Sequence, residues 1–156
     1  MSYQPDILVK AAGDPATYLV VEVKLTSDPR TVHEAESALK TYMAEAGIPT
    51  GMLVTPVQVR IYRDNFRGSP KESVEDVGDV VTGEIPELQK FAGQGSTDPI
   101  AFEDAVQDWL AGLQYRQANG FLRSGDHRHL TEHIGPSLTM GEVRAAGPRA
   151  RLSAAG

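Results

Sequence analysis

The sequence predicts an α/β domain: a mixed sheet flanked by helices, with a helical extension at its C-terminal end. Three observations carry that prediction. Residues 4–9 and 17–25 read as two neighbouring strands joined by Gly13-Asp14-Pro15. Residues 31–46 then place apolar side chains at helical spacing, and two further strand-like runs, 51–55 and 57–62, follow at once. A strand, a helix and a returning strand imply a right-handed crossover in a mixed sheet.

Composition narrows the class. A chain of 156 residues holds one domain with its own core, or a small domain and an appendage. The pattern divides it into an α/β core over residues 1–92 and a helical extension and tail over 93–156, packed on that core. Hydrophobic residues make up 40% and charged residues 23%, which places the chain among ordinary globular proteins rather than disordered ones. The absence of cysteine excludes disulfides and thiolate chemistry. The first residues carry no basic segment followed by an apolar one, and no apolar run reaches membrane-spanning length; a cytoplasmic protein without a membrane partner is expected. The net charge of -6 argues against an extended phosphate-binding surface, because non-specific nucleic-acid affinity comes from clustered Lys and Arg. A carboxylate metal site is itself acidic and fits this balance.

The elements follow in order. After the second strand, Thr26-Ser27-Asp28-Pro29 reads as a turn into a helix capped by Asp28 or Thr31. Val32, Ala35, Ala38, Leu39, Tyr42, Met43 and Ala46 form its apolar face, and Gly47 and Pro49 end it. Gly51-Met52-Leu53-Val54-Thr55 has the continuous apolar character of a buried strand, closed by Pro56. Residues 57–62 alternate Val57, Val59 and Ile61 against Gln58, Arg60 and Tyr62, as a half-exposed strand does. Residues 64–73 read as loop, 74–81 are too mixed to assign, and 86–91 fit a short helix. Gly93-Gln94-Gly95-Ser96-Thr97-Asp98 reads as a flexible break. Asp98 and Pro99 open a second amphipathic helix with Ile100, Phe102, Ala105, Val106, Trp109, Leu110 and Leu113 on its apolar face. The pattern weakens after Gln117; a short helix fits 130–138, and the tail from Gly147 reads as frayed.

One stretch carries chemistry. Side chains alternate along a strand, so Leu19, Val21, Val23 and Leu25 share one face of the second strand and Tyr18, Val20, Glu22 and Lys24 the other. Asp6, on the neighbouring strand, is within reach of Glu22 and Lys24. Two carboxylates and an ammonium on a largely buried sheet are costly unless they pair or hold a cation. Plainer accounts exist for each: Asp6 as a strand-start residue bonded to an amide or to Lys24, and Glu22 with Lys24 as an exposed ion pair of little worth. Tyr18 reads as packing, and Glu36 with Lys40 as a helical i, i+4 pair. His129 and His133, with Asp126 and His127 nearby, have chelating spacing on a helix, yet a polar loop leading into a short helix accounts for them better. Arg123, Arg128, Arg149 and Arg151 read as solvated residues or as a basic rim.

Pro5-Asp6, the strand ending Glu22-Val23-Lys24, the helix over 38–47, the strand 51–55 and the run Val59-Arg60-Ile61-Tyr62-Arg63-Asp64 together resemble the PD-(D/E)XK nuclease superfamily. The segment is similar to the nuclease domains of type I restriction subunits and covers about residues 4–64. The resemblance implies a restriction-endonuclease-like sheet. It also implies a divalent cation, Mg²⁺ or Mn²⁺, held by Asp6, Glu22 and the carbonyl of Val23, an oxygen set that suits those ions and not zinc. Asp6, Glu22 and Lys24 are then the catalytic residues, with Lys24 orienting water or meeting charge on the phosphate. The implied activity is DNA phosphodiester hydrolysis in defence or DNA processing; the alternative is an inactive relative serving as an assembly or interaction module. Two family features are missing: the acidic residue on a helix before the Pro-Asp strand, and a Gln where this chain has Ala38. The core left open without that helix is expected to be covered by the helix around Trp109 or by a second copy, as a homodimer.

Overall fold

The computed structural model describes residues 4–11, 13, 16–93 and 98–146. Its architecture is α/β: a six-stranded mixed sheet with helices on both faces. The strands are β1 (Ile7–Lys10), β2 (Thr17–Val23), β3 (Thr50–Val54), β4 (Gln58–Asp64), β5 (Val74–Val81) and β6 (Glu142–Ala145), and the helices α1 (Pro29–Ala46), α2 (Pro70–Ser73), α3 (Pro99–Asn119), α4 (Arg128–His133) and α5 (Gly135–Met140). Across the sheet the order is β5-β4-β3-β2-β1-β6. Only β2 and β3 run parallel, joined by α1 as the crossover; every other neighbouring pair is antiparallel.

Local signals explain the two long helices. Asp28 accepts the Thr31 N–H at 3.1 Å, Pro29 takes the first turn where its missing N–H costs nothing, and Gly47 ends α1 at φ 69. Asp98 caps α3 by accepting the N–H groups of Ile100 and Ala101, and Gly120 stops it at φ 74.

The core lies on both sides of the sheet. Leu39 and Met43 of α1 pack with Val20, Leu53 and Tyr62 on one face. On the other, Phe102, Val106, Trp109, Leu110 and Leu113 of α3 cover Ile7, Val9, Leu19, Val21, Met52 and Ile61. Each such side chain contributes about 2 kcal/mol by leaving water. The helix around Trp109 thus covers this face of the sheet, one of the two covers expected. Strand β2 has both Val20 and Val21 fully buried, as a central strand should.

Three stretches differ from the sequence reading. Residues 74–81 are a full strand at the sheet edge, with a register shift where β4 passes Ile61/Tyr62; its Glu75, Asp76 and Asp79 face solvent and hide the alternation. Residues 70–73, read as loop, make the single turn of α2. Residues 142–145 form β6 on the free edge of β1 and bring the helical extension's end into the sheet. The segment 86–91 is a 3₁₀ helix, and 130–138 falls within α4 and α5. Asp14 and Pro15 of the first turn, residues 94–97 of the break and the tail from residue 147 lie outside the described residues.

Candidate active site

Register brings the two predicted carboxylates together. Ile7 pairs with Val21, so one step outward Asp6 stands opposite Glu22. Both point to the α1 side, with Leu8 and Val20. The Asp6 backbone is held at both ends: its N–H donates to the Val21 carbonyl at 3.2 Å, and its carbonyl accepts the Ala146 N–H at 2.9 Å. Its side-chain Oδ2 accepts the Val23 N–H at 2.8 Å. The sequence alternative of an Asp6 bonded to a backbone amide is therefore realised, together with its approach to Glu22.

In an extended strand one residue's N–H and C=O point to the same side. The Val23 N–H donates to Asp6 on the β1 side, so the Val23 carbonyl faces that side too. Lys24 turns its own N–H the other way, to the Val54 carbonyl at 2.9 Å. Its Nζ lies 3.5 Å from Glu22 Oε1, with the Lys24 side chain 42% exposed and that of Glu22 only 5%. The ammonium thus stands at the mouth and the carboxylate at the floor.

Electrostatics follow from this packing. Burial pushes the Asp6 carboxyl up, and the Glu22 charge and a hydrogen bond with Glu22 raise it further, to about 7. The Val23 N–H and the Lys24 charge pull the other way without prevailing. Near neutral pH the Asp6 carboxyl is therefore still titrating. A cation could take its proton's place. Among the described residues no group of three or more Asp, Glu, His or Cys side chains is arranged to hold a metal ion. The donors here are two carboxylates and one main-chain carbonyl, a hard oxygen set that fits Mg²⁺ or Mn²⁺ with waters completing the shell.

The site opens on a cleft of about 290 Å³ between β2 and α1, lined by Gln4, Glu22, Lys24, Thr31, Glu34 and Ala38. Behind it, α1 is pinned to β4. Glu36 accepts the Tyr62 O–H at 2.5 Å and Arg60 Nη1 at 3.0 Å, and Lys40 Nζ lies 3.7 Å away. Burial pushes the Glu36 carboxyl up, but the Tyr62 bond and the charges of Lys40 and Arg60 outweigh it and hold it below its ordinary value. The sequence offered Glu36 and Lys40 as a helical pair; Arg60 and Tyr62 were missed as their partners. The alternation that puts both on the face of Glu22 and Val20 was the available signal.

No protein-family model, curated protein or solved structure matches the chain.

The remaining candidates fall elsewhere. His129 and His133 stack with ring centres 6.2 Å apart, and His127 Nε2 lies 2.9 Å from Glu84. Asp126, its side chain fully buried, takes a two-pronged bond from Arg116 at 2.8 and 2.7 Å. Arg123 pairs with Glu87 at 2.6 Å and Arg128 with Glu132 at 2.7 Å. Arg149 and Arg151 lie outside the described residues. Tyr18 is half-buried and stands apart from the Glu22 cleft.

Proposed function

We propose that the chain is a divalent-cation-dependent hydrolase of DNA phosphodiesters, of restriction-endonuclease-like type, working at Asp6, Glu22 and Lys24. The observation that carries this is the meeting of two carboxylates from neighbouring strands under an ammonium at the mouth of a cleft. Asp6, Glu22 and the Val23 carbonyl would hold Mg²⁺ or Mn²⁺. The bound ion supplies Lewis-acid polarisation of the phosphate and a more acidic water. Holding a cation would require Asp6 in its ionised form, its proton released to solvent. The Val23 N–H fixes the Asp6 carboxylate, so the donor set needs little reorganisation. Lys24, part-exposed at the mouth of the cleft, would meet the charge that grows on the phosphate oxygens.

The test is cleavage of plasmid DNA with Mg²⁺ or Mn²⁺. Glu22→Gln and Lys24→Ala should each lower the rate by about 10²-fold or more while leaving the fold intact. No cleavage with any divalent cation between pH 6 and about pH 9 would sink the reading.

A second reading has its own support. The net charge is -6, and Arg123 and Arg128 are both neutralised by glutamates. That surface suits a non-catalytic assembly or interaction module better than one that grips DNA. It predicts a concentration-dependent dimer in sedimentation and an uncut plasmid.

A further inference from the structure

Three acidic residues are buried in the described chain: Glu22 at 4% exposure, Asp64 at 5% and Asp126 at 8%. Two of them face cations. Glu22 has Lys24, and Asp126 has Arg116 and Arg123. Asp64 differs. Its Oδ1 accepts the Phe66 N–H at 2.7 Å, and among the described residues no cation pairs with it. One neutral N–H offsets little of the cost of burying a carboxylate.

Asp64 is not sealed in. It lies in the wall of a cavity of about 560 Å³ at the end of the sheet where β2 and β3 begin, opposite the Glu22 end. Tyr18, Phe66 and Met140 give that cavity an aromatic and thioether lining, and Arg63 and His133 share its wall without pairing with Asp64. Phe66 is 64% exposed and sits at φ 56, a conformation that a bulky side chain rarely adopts. The Asp64–Phe66 bond holds it there. The result is an acid at the wall and a benzyl ring presented to solvent at the same cavity.

We infer that this cavity binds an organic cation: an ammonium or guanidinium group on an apolar body, with Asp64 as counter-ion and the aromatic rings against the body. A cation over an aromatic face gains attraction from the ring in addition to the ion pair, and a desolvated acid makes that pair specific. The cation comes either from a free amine or from a Lys or Arg side chain of a peptide. This site is independent of the Asp6–Glu22 cleft and stands or falls without it.

The experiment is titration calorimetry on the full chain at pH 7.5, with phenethylamine, agmatine and a lysine-containing tetrapeptide as probes and hydrocinnamate as the anionic control. Binding of the amines but not the peptide assigns a small-molecule site; binding of the peptide at least as tightly assigns a side-chain site. In either case Asp64→Asn, which keeps an oxygen for the Phe66 N–H, should weaken binding by at least about tenfold. Phe66→Ala should weaken it severalfold with unchanged helix and sheet content. The inference is overturned if none of the cations binds at concentrations up to about 10 mM. It is equally overturned if hydrocinnamate binds as well, or if Asp64→Asn binds as the parent does.

Discussion

Asp6 links the candidate site to pH. Its carboxyl is raised from 3.8 to about 7 in the folded chain by burial first and by Glu22 second. Between those two values the folded state holds a proton that the unfolded state has lost. Stability of the metal-free protein therefore falls as pH rises from about 4 to about 8, and it is highest, for this group, below the unfolded value. Urea denaturation at steps across that range should show the decline. Asp6→Asn should flatten it and should raise stability at the alkaline end by on the order of 1 kcal/mol, since the amide can still accept the Val23 N–H without repelling Glu22. An unchanged slope in Asp6→Asn would assign the pH dependence to another group. At this scale the sequence was partly legible. Strand alternation alone put Glu22 and Lys24 on one face with Val20. It could not give the degree of burial that separates Glu22, at the floor, from Lys24, half in water. Nor could it show Asp64 as a buried acid with no cation paired to it among the described residues, because residues 64–73 read only as loop.

Helix α1 forms one wall of the cleft, and how closely it lies on the sheet is set at Gly51. A Cβ added there would run into the Met43 side chain, which is itself fully buried. Gly51→Ala asks only that the end of a flexible thioether shift. Gly51→Val asks more, and it should cost about 2 kcal/mol in chemical denaturation through overpacking. Because Glu36 also ties α1 to Tyr62 and Arg60, the helix should tilt rather than detach, and Thr31, Glu34 and Ala38 would move away from Glu22. Long periodic elements were the readable ones. Strand β2, the helices α1 and α3, and the run β3–β4 all carry strong apolar patterns with caps or breakers at their ends. Strand β5 was hidden because an edge strand with a bulge exposes Glu75, Asp76 and Asp79. Strand β6 was hidden for a different reason. Its four residues, Glu142–Ala145, bury nothing fully, and their pairing with β1 is a long-range fact that no local window holds.

Across the whole molecule, the chain's late segment supports its early one. Residues 142–145 lie along β1, and Ala146 donates its N–H to the carbonyl of Asp6. Ala146→Pro removes that donor while leaving every side chain of the cleft in place. Amide exchange at Leu8, whose N–H faces β6, should then speed up by about tenfold, the scale of one lost hydrogen bond, and cation affinity at Asp6 should fall with it. Exchange rates equal to the parent's would show that β1 is secured by β2 and the α3 core alone. The same closure has a temporal side. Protein synthesis delivers residues 4–10 early and residues 142–146 late, so the nascent chain carries β1 with one edge bare while most of the remaining sequence is still being made. The opposed carboxylates acquire their final support only when that last strand leaves the ribosome. Arrested chains in which residues 142–146 are still inside the ribosome should accordingly leave residues 4–10 open to protease, and chains long enough for residue 146 to have emerged should protect them.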